Sequence, residues 1–331
     1  MSLMAMTTTT YTTGYNLVEK IRDYLTGLAN NPWSNDDEQT DKTWSSGWVA
    51  GSGKFLETSL TILGRTLRYR FFAEPFGAPV EHRFRHTGID PTAGAYANVA
   101  THPCLQDYYG PGSPCYGCST PHDAVSRDLY FFTFDDSDLE GSFVAVVAQY
   151  SSTEYMNFAF GLPHLDDEFQ SGYNYGQAVW PGGQFSVYEW SDMTSELTQW
   201  QPFHSAKLCA AKTMMWFNGA AGTSGTHYFQ NIWADNSYTW ATNNQTDSHN
   251  DRMAIALRPI TFADKRMMVK PTVFWSNTAG NGQYPVGTLP VYILPFTGLT
   301  TATQYTWGGS TYIVFPNNIT SQDYGFAFRI A

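Results

Sequence analysis

Charge is what this 331-residue chain has least of: Asp, Glu, Lys and Arg make up 14 % of it. Only 18 residues are Lys or Arg, against 29 Asp or Glu, for a net charge of −11. No basic run or patch appears. Duplex nucleic acid is held by neutralising its phosphates, so this balance argues against nucleic-acid binding. An anionic membrane surface is as poor a partner. No apolar run approaches the ~18 residues that span a bilayer. The opening stretch, MSLMAMTTTTYTTGY, has neither a basic segment nor a long apolar one and does not read as a secretory signal. Asn244 and Asn318 begin glycosylation-type triplets, which without a secretory route read as ordinary loop asparagines. Four cysteines, Cys104, Cys115, Cys118 and Cys209, are too few for a disulfide scaffold of this length.

Catalytic motifs are also lacking. Gly51-Ser52-Gly53-Lys54 resembles a phosphate loop for four residues, but Phe55 stands where the magnesium-binding Ser or Thr belongs. Ser224, in Gly-Thr-Ser-Gly-Thr, misses the nucleophile-elbow pattern at its fifth position, which leaves His227 as a lone histidine. Asp166, Asp167 and Glu168 supply the carboxylates a glycoside hydrolase needs. Adjacent acids in a loop are ordinarily just solvated, however, and a catalytic pair usually sits on separate strands. The reading is therefore of a non-enzymatic protein.

What the chain has in abundance is aromatic residues: 22 Phe, 21 Tyr and 11 Trp. Aromatic enrichment with few charges is the composition of interface cores, so subunit assembly explains it; a large aromatic core in a monomer is the alternative. Most of these rings fall in short strand-like runs. Leu129–Phe134, Phe143–Ala148 and Tyr155–Phe160 are separated by turn-rich pieces, which predicts an antiparallel meander at the centre of the fold. Phe143–Ala148 is unbroken apolar, as in a strand buried on both faces. Further strands are predicted over Leu60–Leu63, Leu67–Phe72, Phe185–Trp190, Lys207–Phe217, Met253–Pro259 and Met268–Trp275. Near the end, Val291–Leu294, Gln304–Trp307, Thr311–Phe315 and Asp323–Ile330 read as strands, with Gly308-Gly309 as a hairpin turn.

One helix is expected. Leu17, Ile21, Leu25 and Leu28 form a single apolar stripe, with Asn16 as a capping residue and Asn30-Asn31-Pro32 as the stop. The stripe docks either on the chain's own body or, as an assembly contact, on a neighbouring subunit. Residues 1–14 read as a flexible or partner-ordered arm, and residues 34–42 as an acidic loop or linker. The expected organisation is an arm and helix over 1–33, then a β-rich body over 34–331. That body is one lobe or two, divided near 195–210. The fold class is mainly β: an antiparallel, sandwich-like body with an N-terminal amphipathic helix.

Two segments invite ligand readings. Cys104, Cys115, Cys118 and His122 lie close together in the loop-rich stretch 73–126, and a Cys-x2-Cys knuckle can present two thiolates to a structural zinc. A disulfide or free thiols explain the same residues. No other cofactor is implied. Trp233, Tyr238 and Trp240 stand among Asn, Asp, Ser and Thr, the make-up of a glycan-stacking platform and equally of a long surface loop with aromatic anchors.

Several segments together resemble a family of virion structural proteins of tailed bacteriophages. They are YTTGYNLVEKIRDYLT with Trp33 and Trp44, the central VAVVAQYSSTEYMNFAFGLPHL, and the C-terminal VGTLPVYILP with YTWGGSTYIVFPNNITSQDYGFAFRIA. Residues 73–126 depart from that layout. The resemblance implies a structural part of the particle, of tail or baseplate type. Such a protein is made in the host cytoplasm and located in the virion. Its partners would be copies of itself and other virion proteins, joined through symmetric contacts. A host-receptor or glycan-binding tail protein is the alternative function, and a capsule or cell-wall hydrolase a more distant one.

Overall fold

The computed structural model describes residues 3–44, 51–62, 65–76, 81–89, 116–121, 123–134, 141–152, 155–161, 164–165, 180–183, 228–230, 261–262, 265–266, 268, 272–276, 283–288, 290–316 and 324–331. In chain order, β1 (Met4–Tyr11) leads into α1 (Gly14–Thr26). Then come β2 (Trp33–Trp44), β3 (Gly51–Ile62), β4 (Arg65–Phe76), β5 (Glu81–Ile89) and β6 (Tyr116–Pro121). The predicted meander is β7 (Arg127–Phe134), β8 (Phe143–Gln149) and β9 (Tyr155–Gly161). Short strands follow: β10 (His164–Leu165), β11 (Trp180–Gly183), β12 (Tyr228–Gln230), β13 (Thr261–Phe262), β14 (Lys265–Arg266), β15 (Thr272–Ser276) and β16 (Gln283–Thr288). The chain closes with β17 (Tyr292–Pro295), β18 (Thr303–Trp307), β19 (Ser310–Pro316) and β20 (Tyr324–Arg329). All recorded pairings are antiparallel, so the mainly β class expected from the sequence is what is found.

Three layers follow from which face each ring takes. The central sheet runs β1-β7-β8-β9-β11. On one side, Leu129, Phe131, Val144, Val146, Ala148, Phe158 and Phe160 join a core with Leu56, Leu60, Tyr69 and Phe71 of the β2-β3-β4-β5-β6 sheet and with α1. On the other, Phe132 stacks on Phe328 at 3.9 Å, and Tyr130 and Tyr155 meet Phe315 edge-on or tilted at 5.1 and 5.7 Å. Phe315 and Phe328 belong to the C-terminal sheet β17-β20-β19-β18. Strand alternation explains this: Leu129 and Phe131 point one way, Tyr130 and Phe132 the other. It also explains β8. Phe143 through Ala148 is buried at every position because both faces of that strand are covered.

The helix begins and ends on side-chain chemistry. Thr13 is the N-cap: its Oγ1 accepts from the Asn16 amide, while Asn16 Oδ1 accepts from the Thr12 amide. Thr13 rather than Asn16 is thus the cap, and Asn16 ties back to the residue before it. The helix stops at Thr26, where Gly27 donates to the carbonyls of Asp23 and Tyr24. That is earlier than Asn30, so Leu28 lies beyond the helix. Leu17, Ile21 and Leu25 are buried in the first core, Leu28 is half-buried against it, and Tyr24 stacks on Phe131 at 4.2 Å. The stripe therefore packs on the chain's own body and is not an exposed face for a neighbour. Full burial of each such side chain contributes about 1.5–3 kcal/mol, enough to outweigh an exposed alternative.

Residues 1–14 and 34–42 also differ from expectation. Met4–Tyr11 is a strand, paired residue for residue with Phe134–Arg127. Threonine suits strands, and Met4 and Tyr11 anchor its two ends in buried positions. Residues 34–42 lie within β2, an edge strand with register shifts at Asn35/Asp37 and Gln39/Lys42. One of its acids, Glu38, faces cations of neighbouring elements. Glu38 Oε1 accepts from Arg22 of α1 and from Lys54 of β3, both at 2.6 Å, and Glu19 lies 3.5 Å from Lys54. Burial periodicity alone cannot reveal a strand held by such partners.

Two glycine positions shape the turns. Gly308 and Gly309 have φ of 57° and 80°, the left-handed pair of a two-residue hairpin between β18 and β19. Gly161, at φ 103°, lies so close to the Ser142 carbonyl that a Cβ would stand 2.1 Å from its oxygen.

Candidate functional site

Of the residues singled out from sequence, most of the ligand candidates lie outside the described residues. These are Cys104, Cys115, His122, Asp166, Asp167, Glu168, Ser224, His227, Trp233, Tyr238 and Trp240. Cys118 is placed on β6, opposite Phe84 of β5, in a stretch that reads as loop in the sequence. Gly51–Lys54 opens β3 and is not a loop before a helix, in accord with its rejection as a phosphate site. Lys54 is 5 % exposed and is bound to Glu38 and Glu19. Among the described residues no group of three metal-ligating side chains occurs. No helix is long and apolar enough to cross a membrane.

What the described residues do bring together is a set of strand edges with contrasting protection. Sheet edges expose unpaired amides and carbonyls, and proteins shield them with charge, proline or bulges. The β2 edge carries Asp36, Asp37, Glu38, Asp41 and Lys42 and has two register shifts. It is defended twice over. The β1 edge has the sequence MAMTTTTY, with no charge, no proline and an unbroken register over all eight residues. Ala5, Thr7, Thr8 and Thr10 are exposed along it. Among the described residues β7 is its one strand neighbour. Every second residue of β1 turns its amide and carbonyl away from β7, toward whatever lies beyond.

The edge is held rigidly from behind. The Tyr11 hydroxyl donates to the Gln149 carbonyl at 2.7 Å, and Arg127, opposite Tyr11, donates to the Tyr150 carbonyl at 2.9 Å. Asp123 makes a two-pronged ion pair with Arg127, with both contacts at 2.6 Å. The Arg127 hydrogen bond draws the Asp123 carboxyl down to about 2. A preformed strand pays little ordering entropy when another strand is added. The signal was present in the sequence, as a threonine run without charge, but a tail and an edge strand share that composition.

The face of the C-terminal sheet away from Phe132 carries a second apolar cluster, in which Tyr292, Leu294, Tyr312, Val314 and Ala327 are buried. Tyr305 and Trp307 stack at 5.2 Å with planes 6° apart, Trp307 lies 5.8 Å from Tyr312, and Tyr312 meets Tyr292 at right angles at 5.4 Å. Tyr305 and Trp307 are half-buried. Neither a model of a known protein family nor a curated protein matches this chain.

Proposed function

We propose that the chain is a structural, non-catalytic component of a tailed-phage particle, of tail or baseplate type, that assembles with copies of itself and with other virion proteins. The observation that carries this reading is the contrast between its edges. Among the described residues, β2 is defended by five charges and two register shifts, while the eight-residue β1 carries no charge and has β7 as its one strand neighbour, the form of an edge kept for another chain. The segments that resemble phage structural proteins support it from another side. They supply α1, β8 and β9, and the C-terminal sheet, elements distributed over the three packed layers. They are the frame, and a frame is what a particle protein contributes.

Addition at β1 predicts a specific arrangement. A second β1 placed antiparallel across a two-fold axis would extend the central sheet from one copy into the next, with threonines opposite one another. The test is the mass of the purified chain in solution. The expected result is a concentration-dependent oligomer for the native sequence, and a monomer for Thr8→Lys with an unchanged melting temperature. A native chain that stays monomeric at high concentration, or an unaltered mass for Thr8→Lys, refutes assembly at this edge. Quantitative mass spectrometry of purified particles tests location: a fixed copy number is expected, and absence from particles refutes the virion assignment.

A further inference from the structure

We infer that Val125 is the register-setting anchor of the β1 pairing: across the two-fold axis it receives Leu3 of the second copy, once at each end of the paired strands. This rests on the reading that β1 adds to a second β1, and it names the contact that aligns the two. The threonine tract cannot align them by itself. With Thr7 opposite Thr10 and Thr8 opposite Thr9, a slip of two residues still leaves threonine against threonine at the centre and moves no charge. Such a strand is weakly specified, so its ends must supply the register.

The two ends of β1 differ. At one, Leu3 precedes the strand and is half-buried. At the other, Tyr11 opposite Arg127 is the last pair of the β1–β7 ladder, and Thr13 caps α1, so the chain leaves the sheet at Gly14. Residues 123–126, which lead into β7, are exposed beyond that point. Val125 is 54 % exposed, the one exposed large hydrophobic among the described residues. Counting back from Arg127 opposite Tyr11, Val125 is level with Thr13 and Ala124 with Gly14. Setting the threonines of two copies against one another brings the second copy's Met4 level with Thr13 and its Leu3 level with Gly14. Met4 is buried in its own chain, so Leu3 is the side chain left to meet Val125. A two-fold contact is reciprocal, so the same pair forms again at the other end.

Val125 is presented rigidly. Its amide donates to Asp123 Oδ1 at 3.0 Å, and its carbonyl accepts from Arg127 Nη1 at 2.9 Å. Ala124 beside it has φ of 58°, a left-handed conformation that a residue other than glycine keeps only where its surroundings hold it. The Asp123–Arg127 ion pair closes the loop around both. A single exposed apolar side chain is ordinary. One fixed in this way at the end of a bare edge has given up its freedom before any partner arrives, and that favours binding. A second copy is the occupant that fits, because the contact continues the β1 edge and its other half, Leu3, is carried on the same chain.

Sedimentation of the full chain over a concentration series, beside Val125→Ser and Thr8→Lys, is the test. The native chain is expected to dimerise and Thr8→Lys to be monomeric. Val125→Ser is expected to dimerise about tenfold more weakly, with an unchanged melting temperature at dilution where the chain is monomeric. Oxidation of mixed Leu3→Cys and Val125→Cys chains, mapped by peptide mass spectrometry, reads the register: a link between positions 3 and 125 of different copies is expected. A Val125→Ser dimer as tight as the native one, beside a monomeric Thr8→Lys, overturns the anchor and leaves the edge in place. Failure of positions 3 and 125 to link does the same. A native chain that stays monomeric at high concentration overturns both.

Discussion

Replacing Glu38 by Gln perturbs a point where helix, edge strand and inner strand are joined by charge. Glu38 Oε1 accepts from Arg22 and Lys54 at 2.6 Å each. The Arg22 hydrogen bond, followed by that from Lys54 and their charges, lowers the Glu38 carboxyl from 4.5 to about 2 against an opposing effect of burial. That difference corresponds to about 3 kcal/mol of preference for the ionised form. Water reaches part of the site, since the Glu38 side chain is 22 % exposed; screening reduces the usable figure to about 1–2 kcal/mol. Lys54, with 6 % of its side chain exposed, would retain only Glu19 at 3.5 Å.

The pH dependence carries the sign of the argument. A carboxyl whose folded-state pKa is lowered contributes stability above its unfolded value, and that contribution fades as pH falls through the folded one. The gap between native and Glu38→Gln proteins is therefore full above about pH 5, reduced to about two fifths at pH 3, and gone below about pH 2. Urea unfolding followed by tryptophan fluorescence at pH 7 and pH 3 measures it. A gap below about 0.5 kcal/mol at pH 7 would refute the proposed ionic joint, as would one of equal size at both pH values.

Gly161→Ala is expected to destabilise by about 3 kcal/mol or more, since a left-handed residue is strained and the Ser142 oxygen occupies the space of the Cβ; expression and melting temperature report it. Phe132→Ala removes a fully buried ring stacked on Phe328. The expected loss is about 3–5 kcal/mol, with amide exchange rising first in β19 and β20. Thr13→Ala deletes the helix cap and is expected to cost about 1 kcal/mol, read by chemical denaturation. A cost near zero would mean that the helix is positioned by its buried stripe alone.

The three central strands and the C-terminal hairpin were legible because their side-chain pattern is local. Leu129–Phe134 and Thr311–Phe315 are dense in strand-favouring residues, and two adjacent glycines permit one kind of turn. The helix was legible from its stripe, although Leu28 showed that spacing continues past the point where Gly27 ends the hydrogen bonding. The candidate edge and the aromatic face were present as composition, a charge-free threonine run and a cluster of Tyr and Trp, without any indication of what they adjoin.

Residue order by itself determined which segments are apolar, where the turns fall, and that the body is built of antiparallel strands. Tertiary structure decided three further things: that the helix stripe is covered by its own chain, that the acidic stretch 34–42 is a strand, and that the opening threonines form a strand paired with β7. Each depends on partners distant in sequence: Arg22 and Lys54 for Glu38, Phe131 for Tyr24, β7 for β1. Local propensity is a property of one segment. Burial, ion pairing and strand pairing are properties of two, and only the folded chain brings the second within reach.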